Sequence, residues 1–210
     1  MTIPARHQAA RLLRSLDPPE WLLRHSCAVA DVAAWLAMRA RSNGQAVDVE
    51  LAAVAALLHD VDKLPSVVVP GRLRHGDGSA WWLAEHGWPE LSPIVRDHPV
   101  TRLAEPSSVT WSRTASLEAQ IVAYADKRAG QHLETMDARF ASWRRRYPAG
   151  PADPSVGGRI PRSGWNERVA QQVVARARAL EADVCRAAGV AQADVRRLRW
   201  ATRAVREAAA

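Results

Sequence analysis

The chain has 210 residues, 48% hydrophobic and 24% charged, which suits one globular domain with an extension and excludes a disordered or low-complexity chain. No apolar run approaches the roughly 18 residues of a membrane span and the first residues lack the apolar stretch of a secretory signal, so a cytoplasmic protein without membrane contact is expected. Cys27 and Cys185 are too few and too far apart for a disulfide framework or a cysteine-held zinc, and the +7 charge rests on 29 basic residues of which only Lys63 and Lys127 are lysine, a bias of composition that gives little reason for a nucleic-acid partner.

In chain order the sequence predicts helices separated by well-marked loops. Asp17-Pro18-Pro19-Glu20 reads as a helix start, with an N-cap carboxylate, proline at the first position and glutamate at the third. That helix should run to about Arg41 and stop at Asn43-Gly44. Along it Leu22, His25, Val29, Val32 and Leu36 fall at three- and four-residue steps, which turns His25 toward the core. Asp48 caps a second helix through Leu51–Leu58, which ends on the doublet His59-Asp60, with Lys63 three residues beyond. Pro65, Pro70 and Gly71 make the next stretch a loop, and Val67-Val68-Val69 is too short for a strand. His75 precedes a short helix from Ser79 to His86, and a further piece from Ser92-Pro93 ends on His98 just before Pro99. After a loop through Pro106, a long helix is expected from Ser116 to about Arg145, with Val122, Asp126 and Leu133 on one face.

The fold class is therefore all-α. Residues 1–146 form the main helical domain, 147–164 a proline- and glycine-rich linker, and 165–210 a C-terminal helical hairpin split at Gly189. Each hairpin helix has one apolar stripe, so the hairpin should pack on the bundle or form a homodimer contact.

Asp126 among apolar neighbours is expensive to bury alone. A divalent cation shared by His25, His59, Asp60 and Asp126 removes that cost. Nitrogen and oxygen ligands without thiolate suit manganese, iron, cobalt, nickel or zinc.

The segments "RHS", "ALLHDVDK" and "YADK", in this order and spacing, resemble the HD-domain metal-dependent phosphohydrolases over roughly residues 20 to 140. The resemblance implies an HD-type helical bundle whose first ion is held by His25, His59, Asp60 and Asp126. In the binuclear branch, histidines at places comparable to His75 and His98 hold a second ion bridged by the aspartate of the doublet, and "HGDGSA" resembles a segment of HD-type dinucleoside tetraphosphate hydrolases. The reaction implied by this likeness is hydrolysis of a phosphate ester or phosphoanhydride of a nucleotide or dinucleotide by a water activated on one or two ions. Asp60, Lys63 and Arg128 are the expected catalytic residues, with Lys63 on the phosphoryl oxygens and Arg128 on a phosphate or the leaving group. Arg72 and Arg74 are secondary candidates for substrate phosphates, and Asp62 for orienting a ligand or water. Both lysines lie in these motifs, where an ammonium suits phosphate. A different reading is a regulatory module that binds a nucleotide without turning it over. Trp81, Trp82 and Trp88 read first as core residues, and His7, His86 and His132 are left outside the site.

Overall fold

The chain opens with α1 (Arg6–Ser15), whose start is closed by the Gln8 side chain accepting from the Ala5 amide. The computed structural model describes residues 3–71, 73–146 and 167–208. Among them the secondary structure is helical, with one isolated bridge between Ala129 and Leu133 and no strand, as the all-α reading requires. No helix among the described residues is long and apolar enough to cross a membrane.

Helix α2 (Glu20–Ser42) is the axis of the bundle. It begins later than the sequence predicts: Pro19 is the N-cap, and Asp17 adopts φ +50° with its amide bonded back to Arg14. The reason is the proline pair, because Pro19 pushes Pro18 out of the α region and delays the first turn. Helix α3 (Val49–Leu58) is capped by Asp48, whose Oδ1 accepts from the Glu50 and Leu51 amides. Its alanines let α3 lie close along α2, and Ala52, Ala53, Val54, Ala55, Ala56, Leu57 and Leu58 are all fully buried.

The chain then makes a 3-10 turn (Val61–Lys63) and a loop before α4 (Asp77–Glu85), a short 3-10 turn (Pro89–Leu91), α5 (Ser92–Val95), a further 3-10 segment (Val100–Ala104) and α6 (Ser108–Thr114). The last two occupy the stretch that the sequence assigns to a loop. Helix α7 (Leu117–Arg128), capped by Ser116, packs on both α2 and α3.

The long helix expected to about Arg145 is broken. Ala129 is extended, Gly130–Glu134 turn, and α8 (Met136–Arg146) starts afresh with Thr135 Oγ1 accepting from Ala138 N. Leu133 therefore lies off the face carrying Val122 and Asp126. Helices α9 (Glu167–Ala188) and α10 (Trp200–Glu207) pack back on the bundle, α9 against α2 and α7, and α10 against α1 and α2. Asp31, wholly buried on α2, anchors α10: its carboxylate accepts from Ala201 N (3.0 Å) and Arg197 Nε (3.2 Å). The linker expected at 147–164 lies outside the described residues.

Candidate metal centre

Three helices and two loops bring six side chains together. His25 comes from the second turn of α2, His59 and Asp60 from the end of α3, Asp126 from the last turn of α7, and His75 and His98 from the loops before α4 and after α5. Helix α3 stops at His59, and Asp60 leaves the helical region (φ −107°, ψ 19°), which frees both side chains to face the same space.

Asp60 divides the cluster. Around its Oδ2 stand His25 Nε2 (3.3 Å) and His59 Nε2 (3.5 Å), while Asp126 Oδ1 lies 3.2 Å from His25 Nε2 and 3.7 Å from His59 Nε2. Around its Oδ1 stand His75 Nε2 and His98 Nε2, each at 3.3 Å, with 3.1 Å between the two nitrogens. Atoms bound about 2.1 Å from one ion stand roughly 3.0 Å apart at right angles and 3.4 Å apart in a tetrahedron. The observed separations lie in and just beyond that range.

Each ring is held from behind. His25 Nδ1 is 2.8 Å from Gly130 O, His59 Nδ1 2.8 Å from Ala56 O, His98 Nδ1 2.6 Å from Val95 O, and His75 Nδ1 2.9 Å from Asp62 Oδ1. Carbonyls and carboxylates only accept, so each ring carries a proton on Nδ1 and turns Nε2 inward, where the neutral ring presents a lone pair. Lone pairs facing each other at 3.2 Å (His25 and His59) and 3.1 Å (His75 and His98) repel unless a positive charge lies between them. Asp60 Oδ1 is moreover buried with no hydrogen bond. This donor set fits a divalent cation, and the rear hydrogen bonds are those that orient metal-binding histidines.

The electrostatics describe the metal-free state. Burial works against a charged His25, but the Asp126 and Asp60 carboxylates outweigh it and raise its pKa to about 10. Burial likewise opposes protonation of His75, and Asp60 and Asp62 overcome it to give about 9. For His98 burial wins, and its pKa falls to about 4. Burial disfavours the Asp60 and Asp126 charges, yet the surrounding histidines, and Lys63 for Asp60, hold both carboxyls well below the usual carboxylate range. Without an ion, then, protons on His25 and His75 supply the positive charge that the carboxylates demand.

Lys63 Nζ donates to Asp60 Oδ2 at 2.7 Å, and its side chain stays 38% exposed, the most open of the group. The other basic candidates are elsewhere. Arg128 is turned away: Nε donates to Glu134 O (2.6 Å), and Nη1 to Tyr124 Oη (2.7 Å) and Gln192 O (3.2 Å), beside Glu181. The structure thus does not bring the Arg128 guanidinium to the cluster, because its partners lie on α7, in the turn after it, and on α9 and the segment that follows. Lys127 is buried and donates to His98 O (2.7 Å) and Ala123 O (3.0 Å), which ties α7 to the backbone of His98 and holds the ammonium away from solvent. Burial, only partly offset by Asp126, lowers its pKa to about 8. Arg74 spends its guanidinium on Asp77 and Glu105, and Arg72 lies outside the described residues. Trp82 is buried and stacks on His86, while Trp81 and Trp88 pack against the core.

Asp62 proves more engaged than its sequence position suggests. Besides His75 it accepts from Gly76 N (2.8 Å), and its own amide donates to Ser79 Oγ (3.2 Å). Gly78 makes room for it, and Gly76 lets the same turn pass the Arg96 backbone. A Cβ on Gly78 would stand 2.9 Å from Asp62 Cβ, and Gly76 (φ +89°) passes so near Arg96 O that a Cβ would meet it at 2.3 Å. The Gly130 carbonyl behind His25 had no signal in the sequence, since a backbone acceptor carries none.

Among families of known proteins, a model described as HD domain matches residues 22–130, a span that runs from the start of the His25 helix to the turn after Asp126. No curated protein and no solved structure matches the chain.

Proposed function

The chain belongs to the HD domain family, and on that premise we propose that it is a metal-dependent phosphohydrolase acting on a phosphate ester or anhydride of a nucleotide or dinucleotide. The observation that carries this reading is the division of Asp60, with each carboxylate oxygen facing its own pair of histidine Nε2 atoms. In this reading His25, His59, Asp126 and Asp60 Oδ2 hold one divalent ion, and His75, His98 and Asp60 Oδ1 hold a second. Such ions, when bound, lower the pKa of a coordinated water and polarise a phosphoryl oxygen.

The chain's own residues do the rest. The Nδ1 hydrogen bonds to Gly130, Ala56, Val95 and Asp62 hold the rings in one tautomer and one orientation, so little reorganisation remains when substrate arrives. Lys63 keeps one proton on Asp60 and has two more to offer, and its partial exposure puts them within reach of a phosphoryl oxygen. Asp126 and Asp60 are ionised at neutral pH and balance the added positive charge. The packed centre is most open at Lys63 and His75, the side from which a phosphoryl group can approach.

The test is phosphate release from a panel of mononucleotides, nucleoside polyphosphates and dinucleoside polyphosphates by full-length protein loaded with manganese, iron or cobalt. Metal-dependent release that disappears in Asp60→Ala, with the fold retained, is the expected result. Stoichiometric metal without turnover of any member would reject the enzyme reading, and absence of metal uptake would reject the site.

A further inference from the structure

We infer that α9, which lies outside the matched family region, is a positioning element of the metal centre, and that Glu181 on it is a positioning residue for His25. The inference rests on the proposed metal site. Its chain of contacts runs through buried groups.

Glu181 is 2% exposed; its Oε1 accepts from Tyr124 Oη (2.8 Å) and stands 3.4 Å from Arg128 Nη1, and its Oε2 accepts from Arg178 Nη1 (3.0 Å). Arg128, so held, donates Nε to Glu134 O (2.6 Å), while Glu134 N donates to Arg128 O (2.7 Å). These two bonds close the turn between α7 and α8. Within the turn Gly130 N donates to His132 O (3.0 Å), and the Gly130 carbonyl accepts the Nδ1 proton of His25 (2.8 Å). That last bond keeps the His25 Nε2 lone pair aimed at Asp60 and Asp126.

The physical reason for the relay is the cost of a guanidinium left buried without its carboxylate. Without the Glu181 charge, Arg128 must find water or turn outward, and Glu134 O loses its donor. The turn then loosens at the residue whose carbonyl orients His25. Arg176, five residues earlier on α9, makes a comparable contact on the other side of the centre. Its Nη1 donates to Leu103 O (2.6 Å) and Glu105 O (3.0 Å), at the end of the 3-10 segment that comes after His98 and Pro99. Helix α9 therefore grips the chain just beyond a ligand of each set.

The experiment uses the full chain with cobalt(II). Affinity is read by chelator competition, and the paramagnetically shifted Nδ1 proton of His25, assigned by its absence in His25→Asn, is read by NMR. Glu181→Gln keeps the shape of the side chain and an acceptor for Tyr124 but removes the charge. It should weaken one of the bound ions by about 10- to 100-fold, the range found when partners behind metal ligands are removed. It should also speed solvent exchange of the His25 Nδ1 proton and leave that of His75 unchanged. Tyr124→Phe, which removes only a hydroxyl, should act in the same direction with a smaller effect, and it decides the question if Glu181→Gln does not fold. Lower thermal stability with cobalt affinity and the His25 proton unchanged would overturn the inference, as would equal changes at His25 and His75. A wild-type chain that takes up no cobalt(II) would overturn the metal reading itself.

Discussion

Replacing Asp62 by asparagine tests whether the second set of ligands is built or accidental. Asp62 accepts two hydrogen bonds at once, from His75 Nδ1 (2.9 Å) and from Gly76 N (2.8 Å). His75 Nδ1 also lies 3.1 Å from Oδ2, the oxygen that accepts from Gly76 N, so an asparagine that keeps its oxygen there turns its NH2 toward the His75 proton at the Oδ1 place and leaves that proton only the longer, shared contact. The Gly76 amide is fixed in the backbone, whereas the His75 ring can move its proton to Nε2. That tautomer would aim a proton at Asp60 Oδ1 and His98 Nε2, and remove the lone pair that an ion needs. A hydrogen bond to a charged group is worth about 1.5–3 kcal/mol, or roughly 10- to 150-fold in affinity, which agrees with the roughly 10- to 100-fold seen for supporting residues of metal sites. The ion at His75 and His98 should therefore weaken by that factor while the ion at His25, His59 and Asp126 keeps its affinity. Chelator competition with manganese or cobalt, beside phosphate release, reads both. Equal loss of both ions, or no change in either, would refute the reasoning.

The same contacts set other outcomes. Gly76→Ala places a Cβ 2.3 Å from Arg96 O at φ +89°, and it should destabilise the protein by roughly 2 kcal/mol or more, lowering the melting temperature by several degrees in a thermal scan. Asp31→Ala removes the acceptor for Ala201 N and Arg197 and should cost about 2–3 kcal/mol in urea denaturation, with metal content unchanged because the residue faces α10. Because His25 and His75 have pKa values raised to about 10 and about 9 in the metal-free protein, the stability they contribute is fully present below the ordinary histidine pKa of about 6.5 and is lost as pH rises through 9 to 10. The chelator-treated protein should accordingly melt at lower temperature as pH rises over that window. Metal uptake must displace the same protons, so affinity should increase with pH until about 9 to 10, by up to roughly tenfold per unit for each proton released.

The sequence carried the helical parts of this centre well. His25 lies on a long run with a clear three- and four-residue period, Asp48 and Ser116 cap as their types require, and the doublet ends a helix that nothing but tertiary contact could extend. Local pattern fails where a partner lies far along the chain. Gly130, two residues past Arg128, is a helix-stop signal that Leu133 on the Val122 spacing masks; contacts to Glu134 and to Glu181, the latter 53 residues away from Arg128, hold the break. For the same reason Arg128 and Lys127, adjacent to Asp126, looked like substrate groups, whereas one belongs to α9 and the other to the backbone of His98. His75 and His98 sit in short loops without periodicity, and only resemblance to a family could single them out. The direction of their rings depends on Asp62 and the Val95 carbonyl, which no spacing rule reveals.

Anomalous scattering at the metal edges, recorded on crystals of the full chain grown without chelator and supplied with manganese, iron or cobalt, tests the central claim most directly. The account predicts two peaks, one on each side of the Asp60 carboxylate, the first among His25, His59 and Asp126 and the second between His75 and His98. No peak at Asp60, or a single peak with His75 and His98 left facing each other, would contradict it.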